Sequence, residues 1–175
     1  MPMDIQPVFI STLTEQRKNL LLVSDDESNF SRLSSMIIQS SHPIGILGDE
    51  YPLLLNLTAL ENVALGCMYH NQMSLEDCHD KIQSLIDRLK MTGSLDQRTQ
   101  FMSRAHLLKI QLLRCIANES IFVFMPSASR SDCDILDRAV ANLDIDVFLW
   151  VAILSNDLDA YTSLEYDVID LHTLQ

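Results

Sequence analysis

Hydrophobic residues in this chain fall into short unbroken runs and into helical stripes, and the two kinds of segment alternate. Leu20-Leu21-Leu22-Val23 is a run, cut off abruptly by Ser24-Asp25-Asp26-Glu27. A strand buried on both faces produces such a block instead of strict alternation. Phe30, Leu33, Met36 and Ile37 then recur at helical spacing, which predicts strand, loop, helix in that order. Ile44-Gly45-Ile46-Leu47 reads as a second strand, residues 121–125 as a third and residues 147–154 (V-F-L-W-V-A-I-L) as a fourth. Residues 166–171 make a last, partly exposed strand.

The helices announce themselves by their caps. Thr58 and Glu61 are spaced so that the hydroxyl can accept from the third amide while the carboxylate reaches back, which starts a helix running to about His70. Ser74 and Asp77 repeat the device ahead of a stripe of Leu75, Cys78, Ile82, Leu85, Ile86 and Leu89, with Thr92-Gly93 as the expected stop. A further helix is predicted from about Ser103 to Ala117, leading into the third strand. Ser131 and Asp134 are the expected cap of a helix carrying Ile135, Leu136, Ala139, Val140 and Leu143, and a short helix is expected near 158–164. Strands alternating with helices argue for an α/β fold with a largely parallel sheet flanked by helices, interrupted by a helical subdomain at about 58–100. No repeat or Pro/Gly/Ser linker divides the sequence, so residues 1–175 read as a single domain.

Composition narrows the partners. A chain 47% hydrophobic and 21% charged belongs to the folded globular class. Its 12 basic and 24 acidic residues give a formal charge of −12, which opposes binding to phosphate backbones and anionic lipid headgroups, so nucleic acid is not an expected partner. No stretch approaches the ~18 apolar residues a membrane span needs, so direct membrane insertion is not expected. Met1-Pro2-Met3-Asp4 does not open like a leader, and the four cysteines form no C-x-x-C pair. Reduced thiols and a cytoplasmic location are the simplest expectation.

Two segments carry a resemblance to a known family. Asn56-Leu57-Thr58-Ala59-Leu60-Glu61-Asn62-Val63-Ala64-Leu65-Gly66 resembles the stretch after the glutamine loop of ABC-transporter ATPases. Leu112-Leu113-Arg114-Cys115-Ile116-Ala117-Asn118-Glu119-Ser120, with the apolar run after it, looks like their "ARALANEP" helix and following strand. The likeness covers about residues 19–171, and residues 60–74 are most similar to the ATPases of Mce/Mla-type lipid and solvent-tolerance transporters. It implies a P-loop-NTPase-like architecture.

The catalytic positions that the resemblance implies are all altered. A phosphate loop needs glycines so that amides converge on phosphates, a lysine for the outer phosphates and a hydroxyl for magnesium. Residues 24–32 occupy that place with no glycine; Phe30 stands for the lysine and Ser31 for the magnesium-binding hydroxyl. Asp49 stands for the loop glutamine. The L-S-G-G-Q signature becomes Met102-Ser103-Arg104-Ala105-His106, keeping Ser103 alone, and the Walker B acids map to Pro126-Ser127. The switch histidine aligns near Asn156. The implied protein is a trimmed pseudo-ATPase with no cofactor, no metal and no catalytic residue. Its implied partners are an ABC permease, an active ABC ATPase subunit or a second copy, with attachment to the inner membrane only through a protein. The family's permease-docking cleft maps to about 49–71, with Tyr51, Leu53, Leu54 and Tyr69 as candidate contacts.

Other readings compete. A weak nucleotide-binding switch without hydrolysis is one. Residues 20–31 also resemble the opening of a receiver domain, in which Asp25, Asp26 and Glu27 would ligate magnesium; Asp49 arrives too early to be its phosphoryl acceptor. Cys67, His70, Cys78 and His79 have zinc-binding chemistry, but the cysteines fit apolar helix faces and Cys78 and His79 point apart on one helix. Ser103 and His106 share a helix face without a third partner, and Trp150, Phe122, Phe124 and Phe148 read as core.

Overall fold

The structure is a computed structural model and describes residues 5–171. Five strands, β1 (Leu20–Ser24), β2 (Ile44–Ile46), β3 (Phe122–Pro126), β4 (Phe148–Leu154) and β5 (Asp167–Asp170), form one sheet in the order β2-β3-β4-β1-β5. All four pairings are parallel, with Leu20 opposite Trp150 and Asp167, and Phe122 opposite Ile44 and Phe148. The parallel α/β layer expected from the hydrophobic runs is therefore present. A receiver requires the order 2-1-3-4-5, with β1 between β2 and β3; here β1 lies between β4 and β5, which overturns that reading.

Side chains alternate along β1 into two cores. Leu21 and Val23 join a cluster covered by α3 (Ala59–Asn71), α4 (Leu75–Arg88), α5 (Arg104–Ala117) and α6 (Arg130–Leu143). Leu20 and Leu22 join the opposite cluster, with Trp150 and Phe124, beneath α1 (Ile5–Gln16) and α2 (Ser28–Gln39). Helix α1 has no counterpart in the pattern reading. Pro7 falls in its first turn, where the amide lacks an intrahelical acceptor anyway, and among its described side chains α1 buries Ile10 and Leu13 fully.

Both expected capping boxes form: Thr58 with Glu61 starts α3, and Ser74 with Asp77 starts α4. Three boundaries differ. Helix α4 ends at Arg88 with Leu89 as its cap, three residues short of the expected Thr92-Gly93 stop: Lys90 itself takes a left-handed φ of 56° and Met91 N–H closes on the Ile86 carbonyl at 3.0 Å. Helix α6 is capped by Ser129, whose hydroxyl accepts from Asp132 N–H, instead of by Ser131. The element expected near 158–164 is a 3-10 turn, Ser155–Tyr161. At the base of the 58–100 segment, Thr58 and Arg98 form an isolated antiparallel bridge.

Candidate functional site

The C-terminal ends of parallel strands carry the loops that build sites in open α/β sheets. After β1 only residues 25–27 intervene before α2 begins. Buried Ser24 organises this turn: its hydroxyl accepts from Asp26 N–H at 3.1 Å and from Asn29 Nδ2 at 2.9 Å. The Asp26 carboxylate accepts from Ser28 N–H at 2.8 Å, at the helix N-terminus. Asn29 and Phe30 donate their amides to the carbonyls of Asp26 and Glu27. A helix N-terminus favours an anion, and here the chain's own carboxylate supplies one. Phe30 is buried in the core beneath α1 and α2, so the position matched to a phosphate-binding lysine is an apolar anchor.

A cavity of about 190 Å³ opens beside this turn, lined by Glu27, Phe30, Ser31, Gly48, Asp49, Glu50, Arg104, Met125, Pro126 and Ser127. It brings together four of the positions singled out from the sequence: Phe30, Ser31, Asp49 and Ser127. Ser103 and Asn156 do not line it. Ser103 caps α5, its hydroxyl facing His106 Nδ1 at 2.8 Å. Asn156 is exposed on the 3-10 turn after β4. Ser127 takes a left-handed φ of 56° just after β3.

Sequence reasoning missed the organising residue, Arg104, which appeared only as a lost signature glycine. Its guanidinium donates twice to Asp132 and once to Asp49, at 3.1 Å. The Asp132 bonds raise its already high pKa against the opposing effect of burial. Two further α5 side chains fasten the same loop. Gln111 exchanges hydrogen bonds with the amide and carbonyl of Gly48, and Arg114 donates to the carbonyls of Tyr51 and Pro52. The spacing of these contacts along the chain leaves no local signal.

An adjoining trough of about 260 Å³ shares Asp49 and Arg104 with the cavity and adds Pro52, Leu53, Leu55, Thr99, Gln100, Met102, Leu107 and Gln111. Of the four candidate docking residues, Leu54 and Tyr69 are exposed (46% and 81%), and Tyr51 is half-buried. Leu53 is only 7% exposed and belongs to the core cluster, which corrects its expected place on the open surface, although it still lines the trough. Two exposed apolar residues beside the trough were passed over: Leu55 (62%), which lines it, and Phe101 (76%), between two lining residues, Gln100 and Met102.

Cys67 and Cys78 are buried in the same core cluster, Cys67 Sγ donating to the Ala117 carbonyl at 3.0 Å, whereas His70 is exposed. Among the described residues no group of three or more potential ligands is placed to hold a metal, and no helix is long and apolar enough to cross a membrane.

No family model matches the sequence, and no curated protein does. Solved structures do match. The ATP-binding cassette MJ0796, a dimer in a post-hydrolysis state bound to ADP and Pi, superposes with a TM-score of 0.56 at 13% identity, over 78% of this chain and 74% of that one. CbiO1 from Clostridium perfringens, part of the ABC transporter complex cbiONQ, superposes with a TM-score of 0.61 at 10% identity, over 81% and 68%. At these identities the likeness is one of fold: a parallel sheet flanked by helices, built as in the ATPases of ABC transporters.

Proposed function

We propose that this chain is a non-hydrolysing, ABC-ATPase-like protein that works through protein contacts, as an interaction or regulatory subunit of a membrane transport system. One observation carries the reading: Asp26 and Ser24 engage the turn where a phosphate cradle would form, and Glu27, Asp49 and Glu50 face the cavity beside it. Each carboxylate held about 4 Å from a triphosphate opposes it by roughly 1–4 kcal/mol at surface-like dielectrics, and the half charge of one helix terminus does not offset several of them. Met125, Pro126 and Ser127 offer neither a magnesium ligand of the acidic kind nor a base at the end of β3. The contact surface is the loop after β2 with the trough beside it. The resemblance of residues 60–74 to Mce/Mla-type ATPases favours a lipid-transport system, with a permease or a competent ATPase subunit as partner.

Phosphate release and calorimetry with millimolar Mg-ATP test the reading. The expected result is no phosphate and no binding heat. Steady hydrolysis would sink it, and heat without hydrolysis would make the chain a nucleotide-responsive switch instead. Affinity capture in mild detergent is expected to recover a permease or an intact ABC ATPase.

A further inference from the structure

The two edges of the sheet differ. Strand β2 is three residues long and half-buried throughout, whereas β5 has four residues, of which Asp167, Val168 and Asp170 are exposed. Among the described residues no strand lies beyond β5. Asp167 N–H donates to the Asn19 carbonyl at 3.0 Å, so the alternation of the backbone turns the N–H and C=O of Val168 away from β1. The Val168 side chain is 57% exposed, although Leu21 opposite it belongs to the core. An outward amide and carbonyl beside an exposed apolar side chain are a template on which a further strand pairs.

Charge decides which strand fits. Asp167 and Asp170 bracket the exposed segment, exposed Glu165 precedes it, and Asp25 and Asp26 follow the end of adjacent β1. Lys18 meets Asp167 at 2.6 Å, but both side chains stay more than half exposed (58% and 53%). We propose that β5 takes up an extended strand of a partner protein, antiparallel to it, with an apolar residue opposite Val168 and lysine or arginine at the two positions, three apart, that face Asp167 and Asp170. In strand addition the main-chain bonds supply affinity and the side chains supply specificity. The residue opposite Val168 exchanges both hydrogen bonds with it, and each opposite-charge pair across the strands adds to the pairing. A second copy does not fit: residues 164–171 contain no basic side chain, so β5 against β5 brings together the aspartates of both copies with nothing to answer them.

Nuclear magnetic resonance of the isotope-labelled full chain tests this with three blocked peptides. One is Lys-Thr-Val-Lys flanked by threonines; the second has glutamates for the lysines. The third is the lysine peptide N-methylated at its valine, which keeps the charge and removes the donor to the Val168 carbonyl. The lysine peptide is expected to shift the Val168 amide, to slow its exchange with solvent, and to bind about fivefold or more tightly than the glutamate peptide, the combined worth of two ion pairs across the strands. The N-methylated peptide is expected to lose the protection at Val168. Asp167→Lys with Asp170→Lys is expected to reverse the preference for lysine over glutamate while the thermal transition stays in place. Equal effects of the lysine peptide and its N-methylated form would reduce the interaction to surface charge and overturn the proposal. So would an unreversed preference, no response at Val168 to millimolar peptide, or a Val168 amide already slow to exchange in the free chain. Self-association abolished by Val168→Lys would put a second copy on β5 and overturn it too. This edge lies across the sheet from β2, so silence here leaves the reading of the loop after β2 standing, whereas phosphate release from Mg-ATP removes that reading without touching β5.

Discussion

Arg104 grips Asp132 with two edges of its guanidinium, Nε to Oδ1 at 3.2 Å and Nη2 to Oδ2 at 3.0 Å, joining the start of α5 to the first turn of α6. Its remaining arm reaches Asp49 on the loop after β2. The two carboxylates differ in setting: the Asp132 side chain is 10% exposed and that of Asp49 is 90% exposed. Burial makes the Asp132 arm the structural one, because a carboxylate out of water that loses its partner keeps its desolvation cost.

Arg104→Ala is therefore expected to destabilise the fold by about 1–3 kcal/mol, below the usual figure for a broken buried pair because the arginine itself is part-exposed. Asp49→Ala is expected to cost only about 0–1 kcal/mol, as exposed pairs do. Urea unfolding of the two variants measures the contrast, and equal losses would contradict it.

Buried Asn62 holds the loop after β2 to α3. It accepts from Leu54 N–H at 2.7 Å and donates to the carbonyls of Leu54 and Thr58. Asn62→Leu fills similar space without those bonds, and is expected to cost about 1–3 kcal/mol, the penalty of stranded backbone groups. Hydrogen exchange at the Leu54 amide is expected to quicken with it; an unchanged rate would show that the loop is held by other means.

At Gly45, β2 packs closely against α5. A Cβ built there lies 2.5 Å from both Cβ and Sγ of Cys115, a buried residue whose thiol burial raises to a pKa of about 12. Gly45→Ala must push α5 from the sheet edge, at an expected cost of about 1–3 kcal/mol. Thermal or urea denaturation checks this.

Acid is expected to loosen α4 through Asp77. The Ser74 hydroxyl, and then the Ser74 amide, hold the Asp77 carboxyl below its ordinary value of 3.8. A depressed folded pKa means that the stabilisation is full above the unfolded value and is lost as the pH falls through the folded one. Wild type and Asp77→Asn should thus differ most near neutrality and converge in acid. A gap that persists to about pH 2 would contradict the linkage.

How far the sequence speaks depends on the range of the interaction. The caps at Thr58 and Ser74 were legible because each needs only residues three apart, and they form as read. At α6 the same rule gives two answers, Ser129 with Asp132 and Ser131 with Asp134. The structure takes the first: Arg104, distant in sequence, holds Asp132, while Asp134 pairs with Arg130 inside the helix, which begins at Arg130. The α4 stop was misread because a lysine adopts the left-handed conformation usually left to glycine. Leu53 and Leu54 are neighbours of identical type, and nothing local could say which one faces the core.

By itself the sequence determined the buried strands and most helix starts, because unbroken apolar runs and capping pairs act over a few residues. Only the tertiary structure decided the strand order, the convergence of Phe30, Ser31, Asp49 and Ser127 on one cavity, and the hub at Arg104. Arg104 meets Asp49 across 55 positions and Asp132 across 28. Such contacts arise from how helices pack on the sheet, and no periodicity along the chain encodes that packing.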